Sequence, residues 1–165
     1  MIHSSTVHAK PPELAALEPA KAAIAVPAVA FSDALGNRHL LSAYRGRFVL
    51  LNLWATWCGP CVKELPALAR LQAAIPVREF MVVPVNVGRS SAAETAQFLK
   101  AHGAANLPVN TDSSVVLMQG LHAYGLPATV LIDPQGREVA RAEGPAEWDT
   151  PAAIAYFKAL VHAAS

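Results

Sequence analysis

Cysteine is nearly absent from this chain: two residues among 165, three positions apart. A secreted scaffold stapled by disulfides would spread more of them along its length. Two so close together cannot close a long loop, which argues against a stapling role. Charge is scarce as well, at 15% Asp, Glu, Lys and Arg with a net charge of +1. No Lys/Arg cluster interrupts the mixture, so the electrostatic footprint of a nucleic-acid binder is missing. No apolar run approaches the ~20 residues of a membrane span, and no internal repeat is visible. What the chain does have is apolar residues, 53% of the total, which excludes a disordered body. Its length suits one domain, able to bury roughly two-thirds of its unfolded surface without staples.

Residues 1–26 are rich in Ala and Pro and are expected to be a flexible lead or linker, with a short helix near Glu13–Glu18. No charged n-region followed by a long apolar h-region is visible there. The folded pattern is expected over 27–165. Ala28–Phe31 and Arg38–Leu41 flank Gly36-Asn37 and read as a hairpin. Arg47–Trp54 and Glu79–Val87 are nearly continuous apolar runs, as strands covered on both faces require, although Pro84 is a defect in the second. A helix is predicted from Gly59, with Cys61, Leu65, Leu68 and Ile75 on one side and a kink at Pro66. Ser91 with Glu94 forms a capping-box signature that opens a helix to His102, with Gly103 as its stop. A short strand is expected over Leu107–Asn110 and a helix from Ser113 to Gly125. Ala128–Asp133 and Arg137–Ala142 flank a turn and read as a second hairpin, and Thr150-Pro151 opens a last helix to His162. This order is α/β, with a mixed sheet parallel in the middle and antiparallel at one edge.

The chemistry sits in Trp57-Cys58-Gly59-Pro60-Cys61, between a strand and a helix. Cys58 falls at the helix N-terminus, where unpaired N–H groups and the macrodipole favour a thiolate. Cys61 is one turn further in. Two such sulfurs can close a small disulfide and reopen it by attack of a thiolate on a disulfide sulfur, through a mixed disulfide. Cys58, the exposed member, is expected to attack, and Cys61 to resolve. A structural zinc site needs four ligands, and no second Cys pair exists. His39, His102, His122 and His162 show no ligand spacing, and Val62 after Cys61 rules out a haem-attachment motif. No metal is expected, and no cofactor beyond the redox-active Cys58–Cys61 disulfide. Lys63 is the nearest basic neighbour of Cys58 in sequence, so no added cation marks a strong oxidant, and a reductase or a mild exchanger is expected.

The chain resembles the thioredoxin superfamily, and within it the TlpA/ResA/CcmG group of bacterial envelope thiol–disulfide oxidoreductases. The resemblance rests on Leu51-Asn52-Leu53-Trp54-Ala55-Thr56-Trp57-Cys58-Gly59-Pro60-Cys61 with Lys63-Glu64-Leu65-Pro66, and on Gly125-Leu126-Pro127-Ala128-Thr129 through Gly136. It rests also on Phe31–Gly46 and on Gly144-Pro145-Ala146-Glu147-Trp148, which looks particularly like TlpA. It covers about residues 27–163. It implies a thioredoxin-like fold: a central mixed sheet flanked by helices, an N-terminal β-hairpin, and a central insertion over Gly88–Tyr124. It implies that Pro127 is a cis-proline facing the disulfide and that the Leu126 backbone pairs with a substrate strand. Trp54 would pack under the site and Trp57 would belong to the docking surface. Asn52 stands where ordinary thioredoxins carry a buried Asp, and Asn cannot titrate. Glu64 matches the ResA-type glutamate and would take that place as the buried acid near Cys61.

The resemblance further implies a periplasmic or extracytoplasmic protein, membrane-anchored at full length by a segment not in this sequence, and monomeric. Electrons would come from a membrane thiol transporter of the DsbD/CcdA kind. The partners would be protein disulfides of apocytochromes c or of copper-centre assembly proteins. Two alternatives are a general cytosolic thioredoxin, disfavoured by Asn52 and the long middle segment, and a copper-binding chaperone using Cys58, Cys61 and His122 or Met118. A peroxidase lacks its Thr-x-x-Cys pattern here.

Overall fold

The computed structural model describes residues 9–164. Eight strands form one sheet: β1 (Leu17–Ala25), β2 (Ala30–Asp33), β3 (Arg38–Leu40), β4 (Phe48–Trp54), β5 (Phe80–Asn86), β6 (Asn110–Thr111), β7 (Ala128–Ile132) and β8 (Arg137–Glu143). Four helices accompany them: α1 (Gly59–Ala74), α2 (Ala92–Ala101), α3 (Val116–Gly120) and α4 (Pro151–Ala163). The spatial order is β1-β8-β7-β4-β5-β6-β2-β3. Only β4–β5 and β5–β6 are parallel; every other pair is antiparallel. The fold is thioredoxin-like α/β, as expected. The antiparallel pairing lies on both sides of the parallel centre rather than at one edge, because the β2–β3 hairpin docks antiparallel on β6.

All seven residues of β4 are buried, and alternate side chains enter two cores. Leu50 and Trp54 join α1, α4 and Phe80 on one face, while Val49, Leu51 and Leu53 join β2, α3 and Val83 on the other. Cover on both faces explains why the strand reads as a continuous apolar run. Pro84 fits in β5 because its carbonyl accepts from the Asn110 side chain on the β6 side. Its missing N–H points to that same side, where β6 pairs only through Asn86 and Thr111 and makes no demand for a donor.

Phe157 is fully buried between Phe80 and Trp148, with ring centroids 5.1 and 6.2 Å away. We expect Phe157→Ala to cost about 3–5 kcal/mol through lost contacts and a cavity. In urea unfolding the midpoint should fall with the slope unchanged.

Three sequence expectations need correction. Residues 10–25 are not a flexible lead. Pro12–Leu14 forms a 3₁₀ turn, Leu14 and Leu17 are core residues, and β1 pairs antiparallel with β8. The part of that lead over 1–8 lies outside the described residues. The strand expected at Leu107–Asn110 is displaced to β6, and Leu107 is instead a core contact of the preceding loop. The helix expected over Ser113–Gly125 is confined to α3, because Val115 takes a left-handed conformation (φ 53°) before it and His122 another (φ 53°) after it. By contrast the Ser91–Glu94 capping box forms in full, and Gly103 ends the turn after α2 at φ 71°. Gly88–Tyr124 supplies α2, β6 and α3. No helix among the described residues is long and apolar enough to cross a membrane.

Candidate active site

The buried strand β4 ends at Trp54 and releases a three-residue loop, Ala55–Trp57, into Cys58. Cys58 adopts an extended backbone (φ −93°, ψ 102°) and is the N-cap of α1, its sulfur accepting from the Cys61 N–H at 3.4 Å. Pro60 sits in the first turn, where its missing N–H has no intrahelical partner to lose. Cys58 and Cys61 are joined by a disulfide, with Cα atoms 5.3 Å apart. Cys58 is 6% exposed and Cys61 1%. Cys58 is thus the accessible member, but it is nearly buried rather than open. Trp57 beside it is 74% exposed, and its indole nitrogen stands over Gly88, where an added Cβ would come within 3.6 Å of it. Trp54 is fully buried, with the Phe98 ring tilted against it at 5.6 Å between centroids.

The same end of the sheet carries the start of β7. Ala128 pairs with Leu53, so the preceding residues run toward the loop that holds the disulfide. The Leu126–Pro127 peptide bond is cis. The Pro127 carbonyl accepts from the Gly144 N–H at 2.9 Å. Leu126 is half-buried, and its backbone N–H and C=O carry no hydrogen bond among the described residues. A cavity of about 260 Å³ opens beside these residues, walled by Tyr124, Gly125, Leu126, Pro127 and Glu143.

These features converge on thiol–disulfide chemistry, and the comparisons agree. A match to the AhpC/TSA family spans residues 22–141. The chain belongs to that family. The thiol–disulfide oxidoreductase ResA of Bacillus subtilis is 37% identical over 113 residues, covering 68% of this chain and 62% of that protein. The ResA of Geobacillus thermodenitrificans is 36% identical over 124 residues, covering 71% of this chain and 68% of its own. The chain therefore spans about two thirds of the length of these relatives. Among solved structures, a putative thiol:disulfide interchange protein DsbE from Chlorobium tepidum aligns with a TM-score of 0.69 at 28% identity, covering 86% of this chain and 96% of that one. Within the AhpC/TSA family this is a ResA-like thiol–disulfide oxidoreductase domain.

Two buried polar side chains, Asn52 and Glu64, lie on β4 and α1, the elements that flank the Cys58 loop. Asn52 is buried in β4, and its Nδ2 donates to Thr129 Oγ1 at 3.0 Å, directly across the β4–β7 pair. Its Oδ1 has no partner among the described residues. Glu64, one helical turn beyond Cys61, is buried. Its Oε2 accepts from the Trp148 indole N–H and from the Ala146 N–H at 3.3 Å, while Oε1 is buried without a partner. Burial raises the Glu64 carboxyl from 4.5 to about 7, against the two hydrogen bonds, which favour the carboxylate.

Two residues of this neighbourhood carry no chemical signal in the sequence. Trp148 was visible only as a family match, and its contact with Glu64 spans 84 positions. Asn86, wholly buried at the end of β5, donates to Thr95 Oγ1 at 3.1 Å and accepts from the Gly88 N–H at 2.9 Å, fixing the backbone under Trp57. A buried Asn at a strand end is the only sequence signal for it. Of the residues raised for copper, Met118 packs in the core across the sheet from the disulfide and His122 is exposed. Among the described residues no group of three or more His, Cys, Asp or Glu stands together as a metal site.

Proposed function

We propose that this domain reduces protein disulfides in the bacterial envelope. The observation that carries the reading is a Cys58–Cys61 pair at the N-terminus of α1 with a buried, easily protonated carboxyl one turn further along. Cys58, as thiolate, attacks a substrate disulfide, and the first substrate thiolate leaves and takes a proton. Cys61 then gives its proton to Glu64, and its thiolate attacks the Cys58 sulfur. The second substrate thiolate leaves, the Cys58–Cys61 disulfide forms, and two electrons have passed to the substrate. An acid poised near neutral pH can accept that proton and return it. Trp57, the free Leu126 backbone and Pro127 form the docking edge for the substrate strand.

The likeness to ResA supports an extracytoplasmic domain, membrane-anchored in the whole protein; in this reading it acts as a monomer. By the same likeness, a membrane thiol transporter of the DsbD/CcdA kind recharges it. Its targets are cysteine pairs of apocytochromes c or of copper-centre assembly proteins; the likeness of Gly144–Trp148 to TlpA favours the latter. Insulin reduction with a chemical thiol donor tests the activity: turnover supports it, and retention of copper by the reduced protein without turnover contradicts it. Expression of Cys61→Ser in the envelope should trap partners as mixed disulfides on Cys58; recovery of cytosolic enzymes alone would sink the envelope assignment.

A further inference from the structure

The proton-acceptor reading of Glu64 needs one carboxylate oxygen to be available and the side chain to stay put. The segment between β8 and α4 meets both needs. Trp148 is fully buried against Phe157. The residues around it are tied to two other elements: Asp149 accepts from Arg70 Nε of α1 at 2.6 Å, and the Glu147 N–H donates to the Glu13 carbonyl at 3.3 Å. Thr150 then caps α4 by accepting from the Ala153 N–H at 3.1 Å. The indole is thus anchored at both ends of its segment, with its single donor on Glu64 Oε2.

We propose that Trp148 is a positioning residue for the thiol chemistry: its indole N–H, with the Ala146 N–H, grips Oε2 of Glu64 and leaves Oε1 as the oxygen that exchanges a proton with Cys61. This rests on the reading of Glu64 given above and adds the group that aims it. Indole donates and cannot accept, so it binds Oε2 in both protonation states but binds the carboxylate more strongly. When Cys61 S–H gives up its proton, Oε1 becomes O–H, and the carboxyl stays tethered through Oε2. The proton later leaves from the same oxygen to a departing thiolate or to solvent. The charged and titratable side chains on the elements packed around Glu64 are Lys63 and Arg70 of α1, Glu13 of the 3₁₀ turn, Glu147 and Asp149 of the segment itself, and Tyr156, Lys158 and His162 of α4. None of them contributes to the displacement of the Glu64 carboxyl, which is set by burial, Trp148 and Ala146.

Two measurements on the full chain test this. In ¹H–¹⁵N spectra the Trp148 indole resonance should titrate with a midpoint near 7, and Glu64→Gln should abolish that titration. A Trp148 indole that is flat with pH, or that titrates unchanged in Glu64→Gln, overturns the pairing. In disulfide reduction followed against pH, Trp148→Phe keeps a ring in the core but removes the donor. Its profile should move to higher pH; a rise of one pH unit lowers the carboxylate fraction at pH 7 about fivefold. The double variant with Glu64→Gln should show no further movement of the profile. A Trp148→Phe rate reduced equally at every pH marks a merely structural tryptophan and overturns the positioning role. A Glu64→Gln profile identical to wild type overturns the proton-acceptor reading itself, and the indole titration then separates that failure from the failure of the pairing.

Discussion

Cys58→Ser should reduce no disulfide at all, whereas Cys61→Ser should perform half a cycle and stop. The reason lies in the order of the two attacks. Only a thiolate is nucleophilic enough for exchange, and Cys58 is the sulfur at the helix N-terminus, where the Cys61 N–H already points at it at 3.4 Å. Without Cys58 the remaining Cys61 thiol is almost sealed in the core, at 1% exposure. Without Cys61 the mixed disulfide has no internal thiolate to displace the substrate, so one equivalent of substrate thiol is released and a second is held on the enzyme. In the insulin assay both variants should read at background; only Cys61→Ser should show a stoichiometric burst. Multiple turnover by Cys58→Ser would show that the roles are reversed.

The stability of the oxidised domain should fall as pH rises from about 4.5 to above 7, through Glu64 alone by about 3 kcal/mol. The unfolded carboxyl titrates near 4.5 and the folded one near 7. Between these values the folded state holds a proton that the unfolded state has released, so stability decreases with pH across that window. Below 4.5 both states are protonated and no penalty exists; above 7 it is present in full. Two hydrogen bonds to Oε2 fall short of replacing the water lost from a carboxylate whose Oε1 has no partner. Urea unfolding of wild type and Glu64→Gln from pH 4.5 to 8 isolates the effect. The difference between the two curves should change by about 3 kcal/mol, with the wild type losing ground; parallel curves would contradict it.

Both results depend on features that the sequence shows to different degrees. The strand–Cys58–helix junction is legible because it is local: an apolar run, a cap and a helical periodicity fall within about 25 residues. The Ser91–Glu94 box, the β7–β8 hairpin and the Thr150-Pro151 start are legible for the same reason. β1 is not. It is an edge strand with mostly exposed side chains, interrupted by a register shift between Pro19 and Ile24, and it is held by backbone pairing to β8. An edge so broken shows no period-2 alternation, and its Pro19 and Lys21 are residues that keep an edge from templating aggregation. Its anchors, Leu14 and Leu17, are two apolar residues in an Ala/Pro-rich stretch. The shortness of α3 is also hidden, because the left-handed Val115 breaks the helix with a β-branched residue that nothing local marks as a stop.

The candidate site divides in the same way. Cys58, Cys61 and Trp57 come from one contiguous motif. Pro127 and Glu64 come from family likeness, since a lone proline or a lone helical glutamate is ordinary. The burial of Glu64 and its pairing with Trp148 come from tertiary packing across 84 positions, which no window of sequence reports.

The most direct test of the account is competitive alkylation of the reduced protein at pH 7 with less than one equivalent of iodoacetamide, followed by peptide mapping. The carbamidomethyl group should be found on Cys58, with Cys61 protected until Cys58 is saturated. Label on Cys61 first, or shared evenly between the two, would contradict the assignment of Cys58 as the attacking thiol.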